Sequence, residues 1–300
     1  MNNKTENSLM TVQGNKYRRS AMLYKAGTLL FTVIAIGFAL VTLYPYFFSL
    51  IASLRKGVDI YTPGWKWSDL SLYAYQRILN TGADEAFMLP RWMLNTFGVA
   101  AATTLLTLLI SAMGGYALAR IDFVTKKLWF AALLGVMMIP GQVTLIPKYI
   151  MIAKVFGWTN SYVGLVIPFI FSADYTFMMR QFFLSFPKEL EEAAIMDGMS
   201  RLGVFVKMVL PLSKAPMLAA GTLIFMGSWS SYLWPKLLIN KLDMYMVSQG
   251  MTVMMGTKYT ASPAISMAAA IVSMLPLILL FIIFQKQFIA SIASTGTKGS

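Results

Sequence analysis

Six stretches of this chain, each about as long as the 20 residues a helix needs to cross roughly 30 Å of hydrocarbon, are almost free of charge. They run over residues 27–53, 95–119, 128–147, 155–179, 215–235 and 259–285; Asp174 in the fourth is the one charged side chain in any of them. A segment in hydrocarbon must satisfy its own backbone hydrogen bonds, so stretches of this length are predicted to be helices and not irregular chain. The pattern predicts an all-α membrane protein with six transmembrane helices. The first stretch follows Lys16, Arg18, Arg19 and Lys25, as a secretory leader would. Its apolar core is longer than the roughly 7–15 residues of a leader and no A-x-A-like site closes it, so it is expected to remain as a helix.

Composition supports the bilayer and removes other chemistry. Hydrophobic residues make up 57% and charged residues 12% of the 300, with a mean hydropathy of +0.64. The net charge of +13 comes without a basic run interleaved with aromatics, which argues against nucleic acid as a partner and fits Lys and Arg that fix membrane orientation. The chain has no cysteine and no histidine. Disulfides, thiolate or imidazole metal sites, and nucleophiles or bases built from either group are therefore excluded. No GxxxxGK[ST] loop is present to cradle ATP phosphates, so ATP-driven work would need hydrolysis on another subunit.

Between the fourth and fifth stretches lies a polar segment, residues 186–216, that has to sit in water. Basic residues abut the stretches on one side: the N-terminal tail, Arg120 with Lys126 and Lys127, Arg180 with the polar segment, and Lys286 with Lys298. The positive-inside rule puts that side, and both termini, in the cytoplasm of a multi-pass cell-membrane protein. The outer side then receives a loop over residues 54–94, with Trp65, Trp67, Tyr73 and Tyr75, and another over residues 236–258. This gives a basic tail (1–26), a single six-helix domain (27–288) that includes the polar segment, and a cytoplasmic C-terminal tail (289–300).

Within the segment, Pro187 suits a helix start and Glu189, Glu191 and Glu192 complement the dipole at that end; Gly198 ends the helix. Leu190, Ala193, Ala194 and Asp197 share one face. A second helix is predicted from Ser200 toward Leu210, with Leu202, Phe205, Val206 and Val209 as its apolar stripe. Pro211 and Pro216 are expected to break it before the fifth span. The product is a helix-turn-helix beneath the membrane, docked by one stripe and presenting the other.

Glu192-Ala193-Ala194, three residues, Gly198, nine residues, Met208-Val209-Leu210-Pro211 resembles the EAA coupling loop of binding-protein-dependent ABC importer permeases, with Met208 where isoleucine is usual. The resemblance extends over most of the chain and is nearest the MalG-like carbohydrate permeases. It includes the run from Gly115 to Arg120, Met138-Ile139-Pro140 with Ile146-Pro147, the run from Arg180 to Phe183, and Gly296-Thr297-Lys298-Gly299. The run from Trp229 to Pro235 resembles that family's Trp-Asn-acidic-aromatic segment, with Ser230 and Ser231 in place of the Asn and the acid. The resemblance implies a non-catalytic subunit that works beside a second, related permease, two ABC ATPases that bind ATP and Mg, and an extracytoplasmic solute-binding protein; a homodimer is the alternative. It implies that Glu192 contacts the ATPase through its charge and that Ala193, Ala194, Asp197 and Gly198 lie in the ATPase cleft. Leu210 and Pro211 would then fix the loop to span five. The solute implied is a sugar or oligosaccharide.

Candidate substrate-path residues are Asp174, Trp229, Ser230, Ser231 and Tyr232. A carboxylate within a span faces a bundle interior or a wet cavity, and Arg180, six residues on, is a candidate structural partner for Asp174. Aromatic faces and hydroxyls recognise sugars, but Trp and Tyr also anchor at membrane interfaces, the alternative held for Trp234. Ser111, Gly115 and Ala119 recur every four residues, the spacing of a close helix contact. The 23 methionines fill gaps and are given no function. Among other classes, an ion-coupled carrier would be expected to hold several intramembrane acids, and a membrane enzyme a convergent catalytic set. A permease for a non-sugar solute is the runner-up within the importer class.

Overall fold

The computed structural model describes residues 3–55, 67–80, 88–256 and 263–296, with side chains over 24–55, 68–80, 88–254 and 263–285. Trp65, Lys258 and the tail from Thr297 to Gly299 lie outside the described residues. Among the described residues the chain is helical, with one isolated antiparallel bridge, Arg55 to Leu70.

Among the described residues three helices are long and apolar enough to cross a membrane: Tyr24–Ser53 within α1 (Asn3–Ser53), α3 (Leu89–Arg120), and Pro263–Gln285 within α14 (Pro263–Gly296). Two bent pairs raise the number of candidate spans to five. Tyr162–Phe169 meets Ala173–Leu184 at 45°, and Arg201–Leu212 meets Lys214–Trp229 at 77°.

The stretch 128–147, expected as one span, is not one helix. α4 (Lys126–Met137) has 12 residues, about 18 Å at 1.5 Å per residue, too short for the hydrocarbon. It stops because Pro140 disfavours the helical conformation at Ile139, and the last turn tightens as Met138 donates to the Gly135 carbonyl and Ile139 to that of Val136. Helix resumes as α5 (Leu145–Tyr149) and widens into a π-turn over Ile150–Val155. The fourth stretch also starts later than expected. Gly157 and Asn160 have positive φ, and only then do α6 (Tyr162–Val166) and a 3-10 turn (Ile167–Phe169) form. A break at 170–172 follows before α7 (Ala173–Leu184), which Ser172 caps by accepting from the Tyr175 N–H.

α3 is the central strut. Ser111 and Gly115 face α7: a methyl on Gly115 would stand 2.9 Å from the Arg180 nitrogen and from the Met179 Cβ, so only glycine permits this approach. The expected four-residue stripe is thus a helix contact. On another side α3 meets α11 (Lys214–Trp229), where Gly221 lies against Leu108. The N-terminal end of α3 is packed with α2 (Tyr73–Leu79), α13 (Val247–Gly256) and the start of α14 around Trp92, Leu89, Ile78 and Ala268, all fully buried. α1 buries Ala52 and Ser53 at its end, and the Ser53 hydroxyl lies 2.7 Å from that of Tyr75. Along its membrane-length run α1 packs on α14 with one side and is otherwise exposed, as a lipid-facing helix is.

Candidate functional site: the polar elbow and the central cavity

The polar segment folds as a helix, a turn and a second helix. Pro187, in extended conformation, leads into α8 (Lys188–Met196), whose first turn carries Glu189 and Glu191. Gly198, at φ +86°, ends it, with its N–H on the Ile195 carbonyl and the Met199 N–H on that of Ala194. Nothing lies within 4 Å of where a Gly198 Cβ would be, so the turn needs glycine for its backbone and not for space. Ser200 then caps α9 (Arg201–Val204), its hydroxyl accepting from the Gly203 N–H at 3.1 Å.

The second helix departs from expectation in its buried face. A π-turn over Phe205–Val209 adds a residue to the turn and rotates the buried face. Val204, Phe205 and Val209 are buried, whereas Leu202 and Val206, assigned to that stripe from their spacing, are exposed. The helix does break before the fifth span, between the two prolines, as expected. Pro211 continues it in α10 (Leu210–Leu212), Pro216 sits in the first turn of α11, where its missing N–H costs nothing, and the 77° bend falls at buried Ser213. The Ser213 hydroxyl and N–H both donate to the Val209 carbonyl, which closes the end of the elbow.

Of the residues assigned to ATPase coupling, Glu192, Ala193, Asp197 and Gly198 are exposed, Ala194 is half-buried, Leu210 is half-buried and Pro211 exposed. The elbow is held from beneath by Tyr116, Met179, Phe183, Val204, Phe205 and Val209. The acid on the inner face is Glu191. Its carboxylate lies 3.2 Å from Arg120 Nε, both side chains being almost fully buried, and accepts from the Tyr116 hydroxyl at 3.2 Å. Arg120 Nε approaches the carboxylate within ion-pair distance but out of line for a hydrogen bond, while its Nη2 donates to the Phe186 carbonyl. α8 is therefore tied through charge to the C-terminal end of α3. Sequence reasoning missed this contact. Glu191 precedes Ala194 by three residues and so shares its inward side, but adjacent acids look alike until the docked face is known.

The second site is a cavity of about 470 Å³ bounded by α3, α4, α5, α7 and α11. Asp174 and Ser231 line it. Asp174, in the first turn of α7, is exposed and has no ion-pair partner among the described residues. Arg180 does not pair with it: the guanidinium lies 3.8 Å from the Phe130 ring centroid, with Nε donating to the Leu118 carbonyl.

The Trp229 to Pro235 run divides between packing and lining. Trp229 stacks on Phe225 and donates to the Ser273 carbonyl of α14, away from the cavity. Ser230 is exposed in the turn after α11, and the Tyr232 hydroxyl accepts from Lys236 Nζ at 2.6 Å. Trp234, for which an interfacial anchor was an alternative, is buried in α12 (Leu233–Leu238). Its N–H is on the Gly164 carbonyl and its ring is edge-on to Phe169, and one side of it reaches the cavity. The cavity also contains Thr103 and Lys148, which sequence reasoning missed. Lys148 lies one residue beyond an apolar stretch chosen for lack of charge, and a threonine among apolar neighbours gives no signal.

With this geometry in view, residues 111–294 match the family described as the binding-protein-dependent transport system inner membrane component. The chain is 30% identical over 285 residues to the arabinooligosaccharides transport system permease protein AraQ of Halalkalibacterium halodurans, covering 93% of this chain and all of that one. It is 33% identical over 204 residues to the sn-glycerol-3-phosphate transport system permease protein UgpE of Pectobacterium atrosepticum, covering 68% of this chain and 72% of the relative. A bacterial ABC transporter involved in the import of the acidic polysaccharide alginate shares the fold, at a TM-score of 0.77 and 22% identity, over 88% of this chain and 97% of that one. The chain belongs to the family of binding-protein-dependent inner-membrane permease components, non-catalytic membrane subunits of ABC importers.

Proposed function

We propose that this permease subunit forms, with a second related permease, the translocation path for a sugar or oligosaccharide brought by an extracytoplasmic solute-binding protein. Two partner ATPases, which bind the ATP and Mg, power it from the cytoplasmic side. The observation that carries the reading is the elbow. α8 turns Glu192, Ala193, Asp197 and Gly198 outward in one patch, while its inner side is fixed by Glu191 to α3 and by apolar packing to α7 and α9. A protruding helix so tied can pass a neighbour's motion to the membrane helices. Coupling of this kind requires the neighbour to favour one arrangement, by typically about 1–3 kcal/mol.

In this reading the chain crosses the membrane six times, with α4, the 138–144 break and α5 together making the third passage, and both termini cytoplasmic. A broken helix is tolerated in the bilayer where its free backbone lines a cavity, and Val136, Ile139, Gly141, Thr144 and Lys148 from this region do so. The basic tail (1–26) and the C-terminal tail (289–300) lie outside the six-helix unit. Support for a sugar comes from the arabinooligosaccharide permease relative and from hydroxyls and aromatic rings in the cavity wall. A second reading, a phosphorylated small solute, is favoured by the similarity to the glycerol-3-phosphate permease.

The test is co-purification with the ATPase and vanadate-sensitive uptake in cells. Glu192→Lys and Gly198→Trp are expected to insert normally, lose ATPase from the purified complex and abolish uptake. Undiminished uptake by both, or uptake that persists after deletion of the ATPase, overturns the reading.

A further inference from the structure

Three polar groups line the central cavity with no hydrogen-bond or ion-pair partner among the described residues. Thr103 is 5% exposed, lines the cavity, and its hydroxyl has no hydrogen-bond partner. A buried hydroxyl left unpaired costs about 1–3 kcal/mol, so a fold that keeps one beside a cavity has a ligand or water to satisfy it. Asp174 and Lys148 line the same cavity from α7 and α5, and neither has an ion-pair partner among the described residues. Lys148 Nζ instead rests 4.7 Å from the centroid of the Phe169 ring, itself part of the wall.

We propose that this cavity is a saccharide subsite carried by this chain itself, built for a neutral oligosaccharide and against a phosphorylated or uronic-acid one. The proposal rests on the permease reading above and adds which subunit touches the solute and which charge class it accepts. A volume of about 470 Å³ falls within the roughly 300–1,000 Å³ of small-ligand sites. Sugar hydroxyls both donate and accept, so they can donate a hydrogen bond to the Asp174 carboxylate, accept one from the Lys148 ammonium, and pair with Thr103 in either sense. The Trp234 N–H is already on the Gly164 carbonyl, which leaves its ring to offer apolar surface and no hydrogen bond. The single cation and single anion cancel. An anionic ligand drawn to Lys148 meets Asp174 across a small apolar-walled space, where like-charge repulsion is stronger than in water. Selection thus falls on hydrogen-bonding capacity without net charge.

The experiment uses the complex of this chain with its partner permease and both ATPases in detergent, trapped with vanadate, and measures equilibrium binding of radiolabelled arabinotriose, glycerol-3-phosphate and an alginate trisaccharide. Arabinotriose is expected to bind, the two anions to bind at least about tenfold more weakly, and Thr103→Val and Asp174→Asn each to weaken arabinotriose by about tenfold, the loss of one hydrogen bond to a confined ligand. Asp174→Asn should also narrow the gap to glycerol-3-phosphate, a change that a merely structural role for Asp174 would not produce. Preference for either anion, unchanged affinity in both variants, or no binding of any probe by a complex whose ATPase still responds to its binding protein overturns the subsite and leaves the permease reading standing. A complex that never couples ATP hydrolysis to its binding protein sinks the permease reading, and the subsite with it.

Discussion

α3 is tied to α13 near its N-terminal end and to α8 near its C-terminal end, and the two ties are of opposite kinds. At the N-terminal end, Trp92 is wholly buried against Gly250, where an added methyl would lie 2.0 Å from the indole ring, and its N–H is held by the Leu242 carbonyl at 2.8 Å. Thr96, one turn on, accepts from the Val247 N–H. At the C-terminal end the tie to α8 is ionic, Arg120 to Glu191, with the Tyr116 hydroxyl donating to the same carboxylate. Close packing of rigid rings has one good arrangement and resists displacement, because small gaps forfeit contact energy quickly. An ion pair falls off gently with distance and can re-form in a second geometry. The same helix therefore has a fixed joint to α13 and an adjustable one to α8, the first helix of the elbow.

Four substitutions can break or sharpen that contrast, each read as a change in unfolding stability of the purified protein in detergent. Glu191→Leu leaves Arg120 buried without its counter-charge and should cost most, about 3–5 kcal/mol. Gly250→Val forces a side chain into the Trp92 ring and is expected to cost about 1–3 kcal/mol or more, with the fluorescence of Trp92 disturbed. Trp92→Phe removes the hydrogen bond to Leu242 and some ring surface, for about 1–2 kcal/mol. The double change Arg120→Met with Glu191→Leu should be the mildest, within about 1 kcal/mol of the parent, since replacing a whole buried pair by apolar groups is often neutral. If that double variant keeps its stability yet loses binding-protein-stimulated ATP hydrolysis, the ionic end serves motion and not folding. Should it instead be as unstable as Glu191→Leu alone, the contrast fails.

Helices α1, α3 and α14 were legible because each is an uninterrupted apolar run in which hydropathy and helix coincide. The third and fourth stretches were equally apolar and were misread as continuous, because hydropathy does not register Pro140 stopping a helix or Ser172 starting one. In the elbow, Gly198 and Ser200 marked the turn from local chemistry alone. The π-turn over Phe205–Val209 left no trace in the spacing, so Leu202 and Val206 were placed on the wrong face. At the cavity, Asp174 stood out because a charge in an apolar run is rare, whereas Thr103 became visible only once its missing partner could be seen.

Gly198 turns the elbow with open space where a Cβ would stand and a backbone that mirror-image residues would adopt freely. The demand is one of chirality. A mirror-image alanine placed there by chemical ligation would fit more easily than the natural one, and asparagine would come nearest among coded alternatives. The chain needs a residue of no handedness at the one corner where its outermost helix reverses.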